Sequence, residues 1–193
     1  PRRQRQMCIR DRGIVGDFFK SKILSGSTLV LHDINPETLK NTYEIALSYK
    51  EKLGVNFNIE STTSRSDALK KADFCLISIE VGNRFELWEQ DWKVPLQYGI
   101  KQVYGENGGA GGLFHAMRQV PAIIKICEDI EKICPEAFVF SYSNPMQRIC
   151  HALNTRFPNL RITGLCHEIA SMTRQLPTLC LLYTSPSPRD SNL

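Results

Sequence analysis

The stretch from Ala137-Phe138-Val139-Phe140-Ser141-Tyr142-Ser143-Asn144-Pro145-Met146 to Gly164-Leu165-Cys166-His167-Glu168 decides the fold. The apolar run Ala137 to Tyr142 stops at an Asn-Pro turn. Met146 to Arg156 then has helical spacing, and Arg161 to Leu165 is a second apolar run. A strand, a crossover helix and a strand in that order form a parallel pair, because parallel neighbours need a long return connection. Both strands end at the edge where open α/β sheets bind ligands. A thiol and an imidazole, Cys166 and His167, are delivered to that edge.

The same alternation continues toward the N-terminus. Thr28 to Asp33 reads as a buried strand ending in an acid, and Asn35-Pro36-Glu37 opens a helix with Asn35 as N-cap and Pro36 in the first turn. Leu39, Tyr43, Ala46 and Leu47 supply its apolar face. Phe57 to Ser61 is a short strand, and Ser66 to Ala72 a short helix expected to be capped by Ser66. Asp73 to Val81 contains the best buried strand, Phe74 to Ile79. A polar and aromatic stretch holding Trp88 and Trp92 closes on the glycine-dense segment Gly105 to Gly112. From Leu113 to Cys134 the helical period returns, with a kink or break expected at Pro121. The fold class is therefore α/β, with a Rossmann-like parallel sheet and crossover helices.

The two ends read differently. Arg2 to Asp11 and Cys180 to Asp190 correspond codon by codon to the two arms of a transposase-based sequencing adapter. Residues 1–12 and 180–193 are accordingly expected to be adapter-derived, leaving 13–179 as the native segment, open at both ends. Residues 1–12 carry five Arg against one Asp, which accounts for the whole formal charge of +4. With the native segment neutral, nothing in the charge calls for a nucleic acid or an anionic membrane as partner. Two of the seven Cys belong to the adapters. Cys75, Cys127, Cys134, Cys150 and Cys166 remain, an odd number in apolar elements, which suits a reducing cytoplasm better than a disulfide framework. No apolar run reaches the roughly 20 residues of a membrane span. The native segment is long enough for one core, and a single domain is expected.

Several residues could carry chemistry. Asp33, at the end of a strand and before a capped helix, stands where a Rossmann domain places its ribose-binding acid; an acid that merely caps a helix is the alternative. A carboxylate there would repel a 2′-phosphate and favour NAD over NADP. Counting back about 20 residues to the expected glycine fingerprint reaches the adapter junction. Gly105 to Gly112 is either a flexible loop or a run of backbone N–H groups facing an anion, with Glu106 and Asn107 held close to a ligand. Cys166 and His167 are either a packed thiol beside a surface His or soft and borderline donors suited to Zn, Mn or Fe. Cys127, Cys134 and Cys150 have core spacing. His115 and His151 read as helix-surface residues, and Trp88 and Trp92 as one aromatic helix face.

Five segments in this order resemble the family 4 glycoside hydrolases, NAD- and metal-dependent enzymes related in fold to lactate and malate dehydrogenases. They are Leu31-His32-Asp33-Ile34, Val94-Pro95-Leu96-Gln97-Tyr98-Gly99, the Glu106 loop, Ser143-Asn144-Pro145-Met146 and Gly164-Leu165-Cys166-His167-Glu168. The resemblance covers essentially all of residues 13–179. The Cys166-His167-Glu168-Ile169 form, followed by Ala170-Ser171, is most similar to the α-galacturonidase and α-glucosidase branches.

The resemblance implies a Rossmann-like domain with the start of a catalytic region, truncated at both ends. It implies NAD and Mn²⁺ as cofactors, a small glycoside as substrate, and a homo-oligomer. Its chemistry is oxidation of the sugar 3-hydroxyl by NAD, loss of the carbon-2 proton to a Tyr, elimination of the aglycone, addition of water and return of the hydride, outside the usual two-carboxylate scheme. By that likeness Asp33 and Ile34 contact NAD, Cys166 binds the metal, and Asn144 and Asn107 bind substrate. Glu106 tunes the catalytic Tyr, and His167 stands where phosphosugar members carry an acidic proton donor. Trp88 replaces the Arg of those members. An indole stacks on a sugar face but cannot grip phosphate as a guanidinium fork does, so the expected substrate is an unphosphorylated α-glycoside. Arg84 could still pair with a uronic acid, which makes an α-galacturonide one expectation. A lactate/malate-type 2-hydroxy-acid dehydrogenase and a non-catalytic nucleotide-binding module are the other readings of this fold.

Overall fold

A computed structural model describes residues 15–103, 105 and 107–166. The chain divides into two compact units: one runs to Ala72 with Lys132–Cys134 added, and the other holds Asp73–Glu131 and the residues from Pro135 onward.

The first unit pairs β1 (Thr28–His32) with β2 (Asn58–Thr62) in parallel, Leu29 opposite Ile59 and His32 opposite Thr62. Helix α1 (Pro36–Leu53) makes the crossover. Asn35 starts it as read from the sequence, its side-chain oxygen accepting from the N–H groups of Glu37 at 2.9 Å and Thr38 at 3.2 Å. Gly54 ends it in the left-handed conformation, φ 60°, where a Cβ would be strained. A core of Val15, Phe19, Ala46, Phe57 and Ile59 forms here, with the Phe19 and Phe57 rings 5.1 Å apart. The short helix α2 (Arg65–Leu69) is capped by Ser64 and not by Ser66: the Ser64 hydroxyl accepts from Asp67 N–H at 3.3 Å.

The second unit is a parallel sheet of order β3-β4-β5, with β3 (Phe74–Ile77), β4 (Phe138–Ser141) and β5 (Arg161–Gly164). Helices α3 (Arg84–Gln97) and α4 (Gly109–Ile133) lie in sequence between β3 and β4, and α5 (Met146–Arg156) between β4 and β5. The last crossover therefore has the bounds read from the sequence.

Two expectations are corrected. Of the kink or break expected at Pro121, the break does not occur: helix α4 runs on through it. Pro121 is on the exposed side, and Met117, whose carbonyl loses its partner, is 66% exposed, so water can hydrate that carbonyl. The apolar run at Phe74 is buried on one face only: Cys75 and Ile77 are buried, while Phe74 is 63% and Leu76 48% exposed. On that open face Phe74 stacks on Phe138 with centroids 5.9 Å apart.

Candidate active site

The second unit brings three strand ends to one edge. The ladder continues past the strands: Tyr142 N–H donates to the Ile77 carbonyl at 2.8 Å, and Leu165 N–H to the Ser141 carbonyl at 2.9 Å. Ser143, 3% exposed, then clasps Ile79 from both sides. Its hydroxyl accepts from Ile79 N–H at 2.8 Å and donates to the Ile79 carbonyl at 3.0 Å. Glu80, Asn144 and Cys166 are therefore the next residues out from adjacent strands, where an open α/β sheet meets its ligand. Asn144 precedes a cis peptide bond to Pro145, from which α5 begins. Cys166 is exposed.

The glycine-dense segment is helical in its second half. Helix α4 begins at Gly109, so Gly109–Gly112 form its first turn. Gly111 N–H donates to the Gln102 side chain at 3.2 Å, and Gln102 in turn donates to the Asp91 carbonyl at 3.0 Å. A Cβ on Gly111 would lie 2.6 Å from Gln102 Nε2, and one on Gly112 would overlap the Asn107 carbonyl. At Gly111 and Gly112 the missing Cβ permits close packing of backbone. Asn107 is exposed, and its carbonyl accepts from Arg148 Nε at 3.4 Å, tying the loop to α5 just beyond Asn144.

Beside this edge is a polar cluster that sequence reasoning missed. His115, taken for a surface residue, is 1% exposed, and its Nε2 is 2.9 Å from Glu80 Oε1. Gln119, one turn on, donates to the same oxygen and accepts from Val81 N–H at 3.3 Å. Glu80 Oε2 faces Arg84 Nε at 3.9 Å. The Arg84 guanidinium lies over the Trp88 ring, 4.5 Å from its centroid. Behind it Asp91, 5% exposed, receives Arg118 through both carboxylate oxygens, at 3.0 and 2.5 Å, joining α3 to α4. Trp92 is held separately, its indole N–H donating to the Gln102 carbonyl at 3.3 Å. The one available clue to Glu80 was an acid directly after an apolar strand, the pattern already noticed at Asp33.

In the first unit Asp33 follows β1, with Oδ1 accepting from Asn35 N–H at 2.8 Å. That bond fixes the carboxyl, and its other oxygen has no protein partner among the described residues. Ile34 is 87% exposed. Glu106 and His167 lie outside the described residues. Burial pushes the Cys127 thiol up to about 12 and raises that of half-buried Cys150 as well, which disfavours a reactive thiolate at either. Cys150 and Met146 fill the space over Gly164, where a Cβ would meet Cys150 Sγ at 2.5 Å. Among the described residues no three His, Cys, Asp or Glu side chains gather as a complete metal site, so Cys166 can supply one ligand of a set.

Comparison with known proteins agrees with this architecture. Over 167 residues the chain is 53% identical to an α-glucosidase of Erwinia rhapontici, covering 86% of this chain and 37% of that protein. It is 37% identical over 158 residues to an α-galacturonidase of Thermoanaerobacter italicus, covering 82% of this chain and 34% of that protein. A solved 6-phospho-α-glucosidase from gut microorganisms, in complex with NAD and Mn²⁺, superposes with a TM-score of 0.76 at 25% identity, over 87% of this chain and 38% of that one. The chain thus spans little more than a third of the length of its curated relatives. The family model for family 4 glycosyl hydrolases matches residues 8–182, most of the chain and all of the edge where Glu80, Asn144 and Cys166 emerge. On that match, and on the strand order and strand-end residues that accompany it, the chain belongs to family 4 of the glycosyl hydrolases.

Proposed function

We propose that this chain is part of an NAD- and divalent-metal-dependent glycosidase that cleaves an unphosphorylated α-glucoside. The observation that carries the reading is the meeting of Asn144 and Cys166 on adjacent strand ends in a family 4 chain whose 53% identical relative is an α-glucosidase. Asn144 would hold substrate hydroxyls, Asn107 would contact the sugar from the loop tied to Arg148, and Trp88 would supply an apolar wall. Cys166, an exposed thiol on a strand end, suits a soft ligand position for Mn²⁺. Asp33, with one oxygen fixed by Asn35 and the other without a partner among the described residues, suits the ribose hydroxyls of NAD. When bound, NAD would supply the hydride acceptor at carbon 3, and the metal would supply positive charge to offset the negative charge that develops on the sugar oxygens once the carbon-2 proton is lost. Glu106 completes the proposal as the acid near the catalytic base, and His167 as a substrate contact or proton donor.

The α-galacturonide reading is favoured by the relative at 37% identity. Against it, Arg84, the residue that would pair with a uronate, is engaged by Glu80 and Trp88. Five cysteines outside any disulfide among the described residues suit a cytoplasmic location, and no described helix is long and apolar enough to cross a membrane. Association into homo-oligomers is part of the same proposal. The test is release of sugar from a neutral α-glucoside by the full-length protein, with NAD and Mn²⁺ added together, singly and not at all. Cleavage only with both supports the proposal; cleavage without NAD refutes it.

A further inference from the structure

We propose that Glu80 is a positioning residue that sets the site against sugars carrying an anionic group, by keeping Arg84 occupied. The proposal deepens the reading above, since it names what distinguishes neutral from charged substrates at the same edge. Its basis is the geometry of the Glu80 carboxylate. Oε1 is locked by two side chains of α4, His115 at 2.9 Å and Gln119 one turn on. With that oxygen fixed, Oε2 points to Arg84 at 3.9 Å and cannot rotate away without breaking both bonds. Trp88 holds the same guanidinium from its ring face at 4.5 Å.

Location gives this cluster its consequence. Glu80 follows Ile79, which Ser143 clasps, and Asn144 follows Ser143, so the carboxylate belongs to the strand end next to the proposed sugar-binding Asn. Arg84 and Glu80 are 22% and 14% exposed, so the pair is largely shielded and its attraction is screened little by salt. An incoming phosphate or uronate would have to displace Glu80 from Arg84 and would then face a carboxylate with no counter-charge. A neutral sugar meets a balanced pair. His115 and Gln119 are what make the arrangement stiff: a carboxylate held only by Arg84 could swing aside, whereas this one is anchored from α4.

The experiment measures binding of glucose and of glucose 6-phosphate to the full-length protein by calorimetry, so that it does not depend on turnover. Glu80→Gln keeps the shape and the Gln119 contact region but removes the charge that holds Arg84. The expected result is an affinity for glucose 6-phosphate, relative to glucose, raised about tenfold or more, the effect of one released charged hydrogen-bonding group. Adding Arg84→Gln to that variant should return the ratio to its native value. An unchanged ratio in Glu80→Gln, or a gain that survives Arg84→Gln, overturns the proposal. If Glu80→Gln does not fold, Arg84→Gln alone decides: the ratio should move by less than about threefold, because the native guanidinium is already taken. A tenfold fall would show that Arg84 serves the anion in the native protein and would overturn the proposal. Failure of the hydrolytic reading would instead appear as absent turnover with the binding ratios behaving as described.

Discussion

Ser143→Ala removes one oxygen atom and tests how the ligand edge is built. The hydroxyl makes two bonds to Ile79, at 2.8 and 3.0 Å, from a side chain only 3% exposed. Each such bond contributes about 0.5–1.5 kcal/mol, so losing both costs about 1–3 kcal/mol. Ile79 is itself only half-buried, and water can satisfy part of what is lost, which places the expected value near 2 kcal/mol. The effect should be local, because the ladder from Phe74 to Ile77 does not use this hydroxyl. Amide hydrogen exchange followed by mass spectrometry, on peptides resolving Ile79 from Ile77, is the assay. A 2 kcal/mol loss corresponds to about thirtyfold faster opening at Ile79, with little change at Ile77. Affinity for the sugar should weaken along with it, because Glu80 and Asn144 are the residues that the clasp registers. Exchange at Ile79 unchanged within about twofold would refute the argument that the clasp aligns these strand ends.

Three further outcomes follow from the same geometry. Gly112→Ala drives a Cβ into the Asn107 backbone, which cannot rotate aside as a side chain could, and should cost about 3 kcal/mol in denaturant unfolding; wild-type stability would contradict the packing role given to the glycines. Cys127 keeps its proton in the folded state up to about pH 12, whereas the unfolded thiol ionises near its ordinary value, so raising the pH from 9 favours unfolding by about 1.4 kcal/mol per pH unit at that residue. Cys127→Val should flatten this part of the stability curve between pH 9 and 11, and an unaltered slope would exclude the assignment. Cys166→Ser in the full-length protein should weaken Mn²⁺ binding, measured by electron paramagnetic resonance, by about tenfold or more; unchanged affinity would remove Cys166 from the metal site.

Local chemistry was legible in the sequence, and distant partnerships were not. Asn35-Pro36 marked the start of α1, and Met146 to Arg156 matched α5, because caps and apolar period are read within a few residues. Ser64 and Ser66 are both suitable caps, their hydroxyls being only 3.1 Å apart, and spacing alone could not choose between them. Pro121 suggested a break because its neighbourhood in space was unknown; on the exposed side of a long helix it is tolerated. The glycines looked like a loop because the atoms that demand them, the Asn107 carbonyl and the Gln102 side chain, have no pattern of their own.

The site divides the same way. Asn144 and Cys166 could be placed on one edge because strand order follows from a single crossover. Glu80 and His115 are 35 residues apart, and Asp91 and Arg118 are 27 apart. Nothing in the spacing of either pair announces a contact, so a buried imidazole was taken for a surface one. Trp88 was found as a residue that cannot grip phosphate, but the guanidinium resting on it was not foreseen as its partner.

The most direct test of the account is to let the full-length protein cleave a neutral α-glucoside in D₂O with NAD and Mn²⁺ present. Reversible oxidation at carbon 3 acidifies the hydrogen on carbon 2, so the released sugar should carry deuterium at carbon 2, and both cleavage and labelling should cease when NAD is withheld. Sugar released without deuterium at that carbon, at a rate indifferent to the dinucleotide, would contradict the account.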